Sequence, residues 1–232
     1  MKTIGLIGGM SWESTAHYYA ELNQGIKKAL GGLHSARILL YSVDFGPIEK
    51  LQNKEDWESL GNIMADAARK VEKGGADCLL ICTNTMHKLT GIVEDAVNIP
   101  LLHIADATAQ VLVHDKIKRV GLLGTAYTME QEFYKNRLIS KFDLDVIIPD
   151  EKDRNSIHTI IYKELCLGQI KTQSQKTYLN ITKRLAEKGA QGIILGCTEI
   201  GMLLKPEDID IPLYDTAKIH AAKAVEWALK YE

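Results

Sequence analysis

The chain repeats itself, and this most restricts what it can fold into. Ile4-Gly5-Leu6-Ile7-Gly8 recurs as Val120-Gly121-Leu122-Leu123-Gly124, an offset of 116 residues. Gly75-Ala76 recurs as Gly189-Ala190 and Thr83 falls on Cys197, an offset of 114. Asn98-Ile99-Pro100-Leu101 recurs as Asp210-Ile211-Pro212-Leu213, an offset of 112. Three matches in order at nearly constant spacing predict two homologous halves. Strand-like apolar runs alternate with helical patterns in each, which implies βαβ units. The expected fold is therefore α/β: two pseudo-symmetric three-layer α/β halves with parallel sheets, and an active site in the cleft between them, where small-ligand sites form. The expected boundaries are residues 1–98 for the first half, joined by a C-terminal helix at about 210–232, and 99–209 for the second.

In chain order, a strand at 3–7 leads through Gly8-Gly9 to a helix over 15–30, with Ser11 or Ser14 as its cap. A strand follows at 36–43, then a polar loop at 47–53. Apolar residues at helical spacing (Leu60, Ile63, Met64, Ala67, Val71) predict a helix over 57–73 that ends at Gly74-Gly75. A strand at 78–82 and a helix at about 86–97 complete the first half. In the second, helices are expected at 105–114, 130–139, 155–167 and 172–188, and strands at 118–125, 144–148 and 192–196. A terminal helix is expected at 216–229.

Composition narrows the partners. Acids and bases nearly balance, at a net charge of −2, so no basic surface for nucleic acid or an anionic membrane is expected. No apolar run approaches the roughly 18 residues that a membrane span needs, and Lys2 leads directly into a short strand rather than a leader. The four cysteines (78, 82, 166 and 197) form no CxxC pair. A soluble cytoplasmic protein with free thiols is expected. The seven histidines show no metal-ligand spacing, although His87 and His103 fall near the proposed cleft. Gly5-x-x-Gly8-Gly9 lacks the spacing of a dinucleotide fingerprint.

Chemistry is expected at the strand ends. Gly192-Ile193-Ile194-Leu195-Gly196-Cys197-Thr198-Glu199 delivers a cysteine where a strand gives way to a helix, a setting that favours thiolate. Two equivalent strand ends facing across a cleft place one group on each side of a bound carbon. One removes a proton and the other returns one to the opposite face.

The segments Leu-Gly-Cys-Thr-Glu at 195–199 and Thr-Asn-Thr-Met-His at 83–87 resemble the two signatures of the aspartate/glutamate racemase superfamily. The opening Ile-Gly-Leu-Ile-Gly-Gly-Met resembles its aspartate racemase branch. The resemblance implies racemisation of an acidic amino acid without PLP or metal, usually by a homodimer whose catalytic pair is two cysteines, one per half. This sequence departs from that pattern, with Thr83 in the place of the first cysteine. Cys82 is adjacent, but alternation along a strand turns it toward the packed face. Cys197 and Thr83 are therefore the expected catalytic residues. The resemblance implies that the second-half cysteine deprotonates the L-enantiomer and the first-half group serves the D-enantiomer. Since a hydroxyl is a poor base, an enzyme working from the L-side through Cys197 is expected.

The resemblance also implies a substrate-binding set of Met10, Gln52, Asn84, Thr85, Thr125, Lys163 and Thr198. Lys163 matches a family lysine that meets a carboxylate. Gln52 lies where acidic-substrate members often carry arginine, and residues 42–53 contain none. Glu199 is expected to cap the following helix rather than tune Cys197, and Cys166 to pack inside a helix. Alternatives on the same residues are a cysteine-dependent isomerase or decarboxylase of the maleate or malonate type, or a non-catalytic amino-acid-binding protein.

Overall fold

A computed structural model describes residues 1–230. The chain divides into two compact units, Met1–Ile104 with the chain from His220 onward, and Ala105–Ile219. Each is an α/β unit built on a parallel sheet.

The first unit runs β1 (Ile4–Gly8), α1 (Trp12–Leu30), β2 (Ile38–Ser42), α2 (Phe45–Asn53), α3 (Trp57–Lys73), β3 (Cys78–Ile81), a 3-10 turn (Thr85–Leu89) and α4 (Thr90–Ala96). Its strand order is β2-β1-β3, with Ile4 level with both Ile38 and Cys78. Every residue of β1 and β3 is buried, as expected for parallel strands covered on both faces.

The second unit runs α5 (Ile104–His114, its first residue in the first unit), β4 (Arg119–Gly124), α6 (Ala126–Glu130), α7 (Glu132–Phe142), β5 (Asp145–Ile147) and α8 (Glu151–Lys163). It continues with a 3-10 turn (Leu165–Leu167), α9 (Thr172–Glu187), β6 (Ile193–Gly196), α10 (Ile200–Leu203) and β7 (Leu213–Asp215). Its strand order is β5-β4-β6-β7. Helix α11 (Thr216–Lys230) starts in this unit and, from His220, belongs to the first.

The repeat reappears in equivalent backbone pairings. The Leu79 amide donates to the Pro100 carbonyl at 2.9 Å, and the Ile193 amide donates to the Pro212 carbonyl at 2.8 Å. Leu101 thus bridges β3 as Leu213 pairs with β6. A Cβ on Gly5 would collide with Val71 of α3, and one on Gly121 with Ile193 and Leu185 of α9. In both units the missing side chain lets a helix lie close on the first strand. Gly75 and Gly189 end α3 and α9 at φ of +96° and +93°, a backbone conformation that glycine alone adopts without strain.

These pairings also move the boundaries. Residues 99–102 are tied to β3, so they lie in the first unit rather than the second. Residues 210–219 carry β7 and lie in the second unit, so the first regains the chain only at His220.

Several expected elements differ locally. The polar loop expected at 47–53 is helix α2, capped by Asp44, whose carboxylate accepts from the Gly46 amide at 3.1 Å. Pro47 sits in the first turn, where its missing N–H costs nothing. The helix expected at 130–139 is split at Gln131, whose backbone is extended. Helix α8 starts four residues earlier than expected, because Asp150 caps it by accepting from the Asp153 amide at 3.0 Å. Among the described residues, no helix is long and apolar enough to cross a membrane.

Candidate active site

In the first unit, the functional residues gather beyond β1 and β3. Ile7 is level with Ile81, so the segments Gly8–Met10 and Cys82–Asn84 leave the sheet side by side. β3 ends at Ile81, and Cys82 is fully buried beyond it. Burial pushes the Cys82 thiol far above its ordinary range. Thr83 is half-buried, and Asn84 and Thr85 are buried. The turn is held from several sides. The Ser14 hydroxyl donates to the Cys82 carbonyl at 3.5 Å, and His87 Nδ1 lies 2.8 Å from the Thr83 carbonyl. Met10 belongs to the apolar cluster that includes Met86, and buried Gln52 donates its amide to Met86 Sδ at 3.2 Å. These contacts bring Met10, Gln52 and the 83–87 turn together.

In the second unit, Gly124 is level with Gly196, so Thr125 and Cys197 are the next residues at adjacent strand ends. Thr125 caps α6, accepting from the Thr128 amide at 3.3 Å. His158 of α8 supports the same turn, its Nδ1 accepting from the Ala126 amide at 3.1 Å. Cys197 is 8% exposed, and its thiol donates to Glu199 Oε2 at 2.9 Å. The Thr198 hydroxyl donates to the same oxygen at 2.9 Å. The thiol of Cys166 makes a longer contact, 3.9 Å, with Glu199 Oε1. Lys163 is the last residue of α8 and is exposed.

The electrostatics correct two expectations. A helix-favoured thiolate was expected at Cys197, but its pKa is raised well above the ordinary value. Burial is the largest cause, followed by the Glu199 charge and Cys166. The short α10 does not outweigh them. Nor does Glu199 cap α10: its side chain makes no capping bond, and its carboxylate faces the thiol. The Cys197 thiol thus donates to a Glu199 oxygen placed to receive its proton. Tyr162 and Tyr178 also lie within this field, their phenols raised by burial first and then by the two cysteines and Glu199.

Sequence reasoning did not single out Tyr162, Tyr178 or His158, and it gave Cys166 to helix packing. Cys166 instead lies on the 3-10 turn after α8. Among the described residues, no group of three or more His, Cys, Asp or Glu side chains is placed to hold a metal.

Comparison with known proteins gives the family. Residues 7–224 match the family described as Asp/Glu/Hydantoin racemase. A solved Yersinia pestis protein, described as a candidate Asp/Glu racemase, is 52% identical. It covers 99% of this chain and 100% of its own, with a TM-score of 0.91. An aspartate racemase homologue from Pyrococcus horikoshii is 34% identical over 99% of this chain and 100% of its own, at a TM-score of 0.83. The broad specificity amino-acid racemase RacX of Bacillus subtilis is 24% identical over 99% of both chains. The family is one of racemases, and RacX is named as one; racemases are isomerases.

Proposed function

Because the chain belongs to the Asp/Glu/hydantoin racemase family, we propose that it racemises aspartate or glutamate at Cα without PLP, favouring the L-enantiomer. The observation that carries this reading is the Cys197 thiol on the buried Glu199 carboxylate at 2.9 Å, while the repeat-equivalent position holds Thr83.

In this reading, Glu199 takes the thiol proton, and the substrate's α-ammonium group favours the thiolate so formed. The thiolate then removes the Cα proton of the L-substrate. Thr83 gives its hydroxyl proton to the opposite face and is reprotonated from water. One substrate must meet both strand ends for this to work, with Met10, Gln52, Asn84, Thr85, Thr125, Thr198 and Lys163 to orient it. In the reverse direction a neutral hydroxyl must act as the base, so D-substrates turn over slowly.

The test is Cα–H exchange in heavy water, without PLP, on the L- and D-forms of aspartate and glutamate. L-substrates are expected to exchange faster than D-substrates. Cys197→Ser should lower exchange at least about 100-fold, the usual worth of a positioned acid/base group. Equal rates for the two enantiomers would sink the L-preference. No exchange with any of the four would favour the decarboxylase or binding readings.

A further inference from the structure

We propose that His87 is a positioning residue for Thr83, its ring locked as the Nδ1–H tautomer so that it donates to the Thr83 carbonyl. This rests on the reading of Thr83 as the group on the second face of Cα.

The tautomer follows from the neighbours. The Ile104 amide donates to His87 Nε2 at 3.3 Å, so that nitrogen is an acceptor in the neutral ring. The proton therefore sits on Nδ1, 2.8 Å from the Thr83 carbonyl. The backbone amide of His87 donates to the Asn84 carbonyl at 3.1 Å. One residue thus holds two successive carbonyls, those of a candidate acid and of a candidate substrate ligand. Fixing the peptide planes on both sides of Asn84 fixes where the Thr83 hydroxyl can point.

The ring itself is held from behind. His103 packs on it with centroids 4.6 Å apart, and His220 with centroids 5.9 Å apart. His220 is oriented in turn, its Nε2 donating to the Leu102 carbonyl at 2.7 Å and its Nδ1 accepting from the Tyr18 hydroxyl at 2.9 Å. Three buried imidazoles behind a strand end, with no metal cluster among the described residues, are a support rather than a ligand set.

Asparagine and glutamine separate the two ring nitrogens. The Asn amide reaches the place of Nδ1 and keeps the bond to Thr83, whereas the Gln amide reaches the place of Nε2 and loses it. His87→Gln should lower conversion of L- to D-substrate about tenfold, the worth of one lost orienting hydrogen bond. Exchange from the L-substrate, which needs only Cys197, should change less than about twofold on that basis. His87→Asn should restore conversion. Equal behaviour of the two variants, or exchange and conversion falling together, would overturn the proposal.

Nitrogen-15 imidazole spectra of the ligand-free protein test it independently of turnover. A His87 ring protonated at Nε2 overturns the assignment even in an active enzyme. If the wild type exchanges no substrate, the racemase reading falls. The positioning role is then judged on the Thr83 and Asn84 amide resonances, which His87→Gln should displace and His87→Asn should return.

Discussion

Glu199 adds to burial in setting the resting state of Cys197. The residue is 2% exposed, and its carboxylate takes hydrogen bonds from a thiol and a hydroxyl at once. A carboxylate that close disfavours the thiolate and also stands ready to accept the thiol proton. Glu199→Gln separates these effects. Removing the negative charge lowers the Cys197 pKa, so the pH midpoint of thiol alkylation should move down. Loss of the proton acceptor should still slow exchange from L-substrates. A midpoint that moves up would mean that the carboxylate is not the charge Cys197 feels. The repeat sets Cys197 and Thr83 at equivalent strand ends, and the family resemblance made them the expected catalytic pair. The role of Glu199 was not legible in the same way, since it depends on which way one side chain turns. His87 and His158 were equally hidden, because each acts on a backbone group that only folding brings near.

At the scale of elements, the repeat made the two sheets legible, because each begins with the same glycine-bearing strand and the same close helix. Helix α2 was not legible, since Pro47 has opposite meanings in a loop and in a first turn. The split between α6 and α7 was hidden too, because the helical pattern continues across Gln131. The turns after α3 and α9 yield a prediction. An alanine at Gly75 or Gly189 must adopt a positive φ, at a cost of about 1 kcal/mol. Urea unfolding should show comparable losses at the two sites. Gly91, inside α4 with nothing within 4 Å of a built Cβ, is the control. Its replacement by alanine should be neutral or stabilising by about 0.5 kcal/mol. Unequal losses at Gly75 and Gly189 would show that the two turns, alike in backbone, differ in energy.

For the whole molecule, buried His220 links stability to pH. Burial lowers its pKa from 6.5 to about 4. Between those values the unfolded chain binds a proton that the folded chain refuses. The stability from this group is therefore present above about pH 6.5 and lost as pH falls toward 4. The full shift corresponds to about 3 kcal/mol. Urea midpoints at pH 7 and pH 4.5 should differ more for the wild type than for His220→Gln, which has no imidazole to protonate. An identical slope in both would remove His220 as the source.

The passage of α11 from one unit to the other has a consequence during synthesis. Ala221, Ala224, Val225 and Ala228 are buried, Val225 lies close against Gly25 of α1, and the Ala228 carbonyl accepts from the Lys2 amide at 3.1 Å. On the ribosome, residues 105–219 emerge before these positions do. The unit that starts first is thus finished last, and its strand end with Thr83 has no His220 ring behind it until α11 has been made.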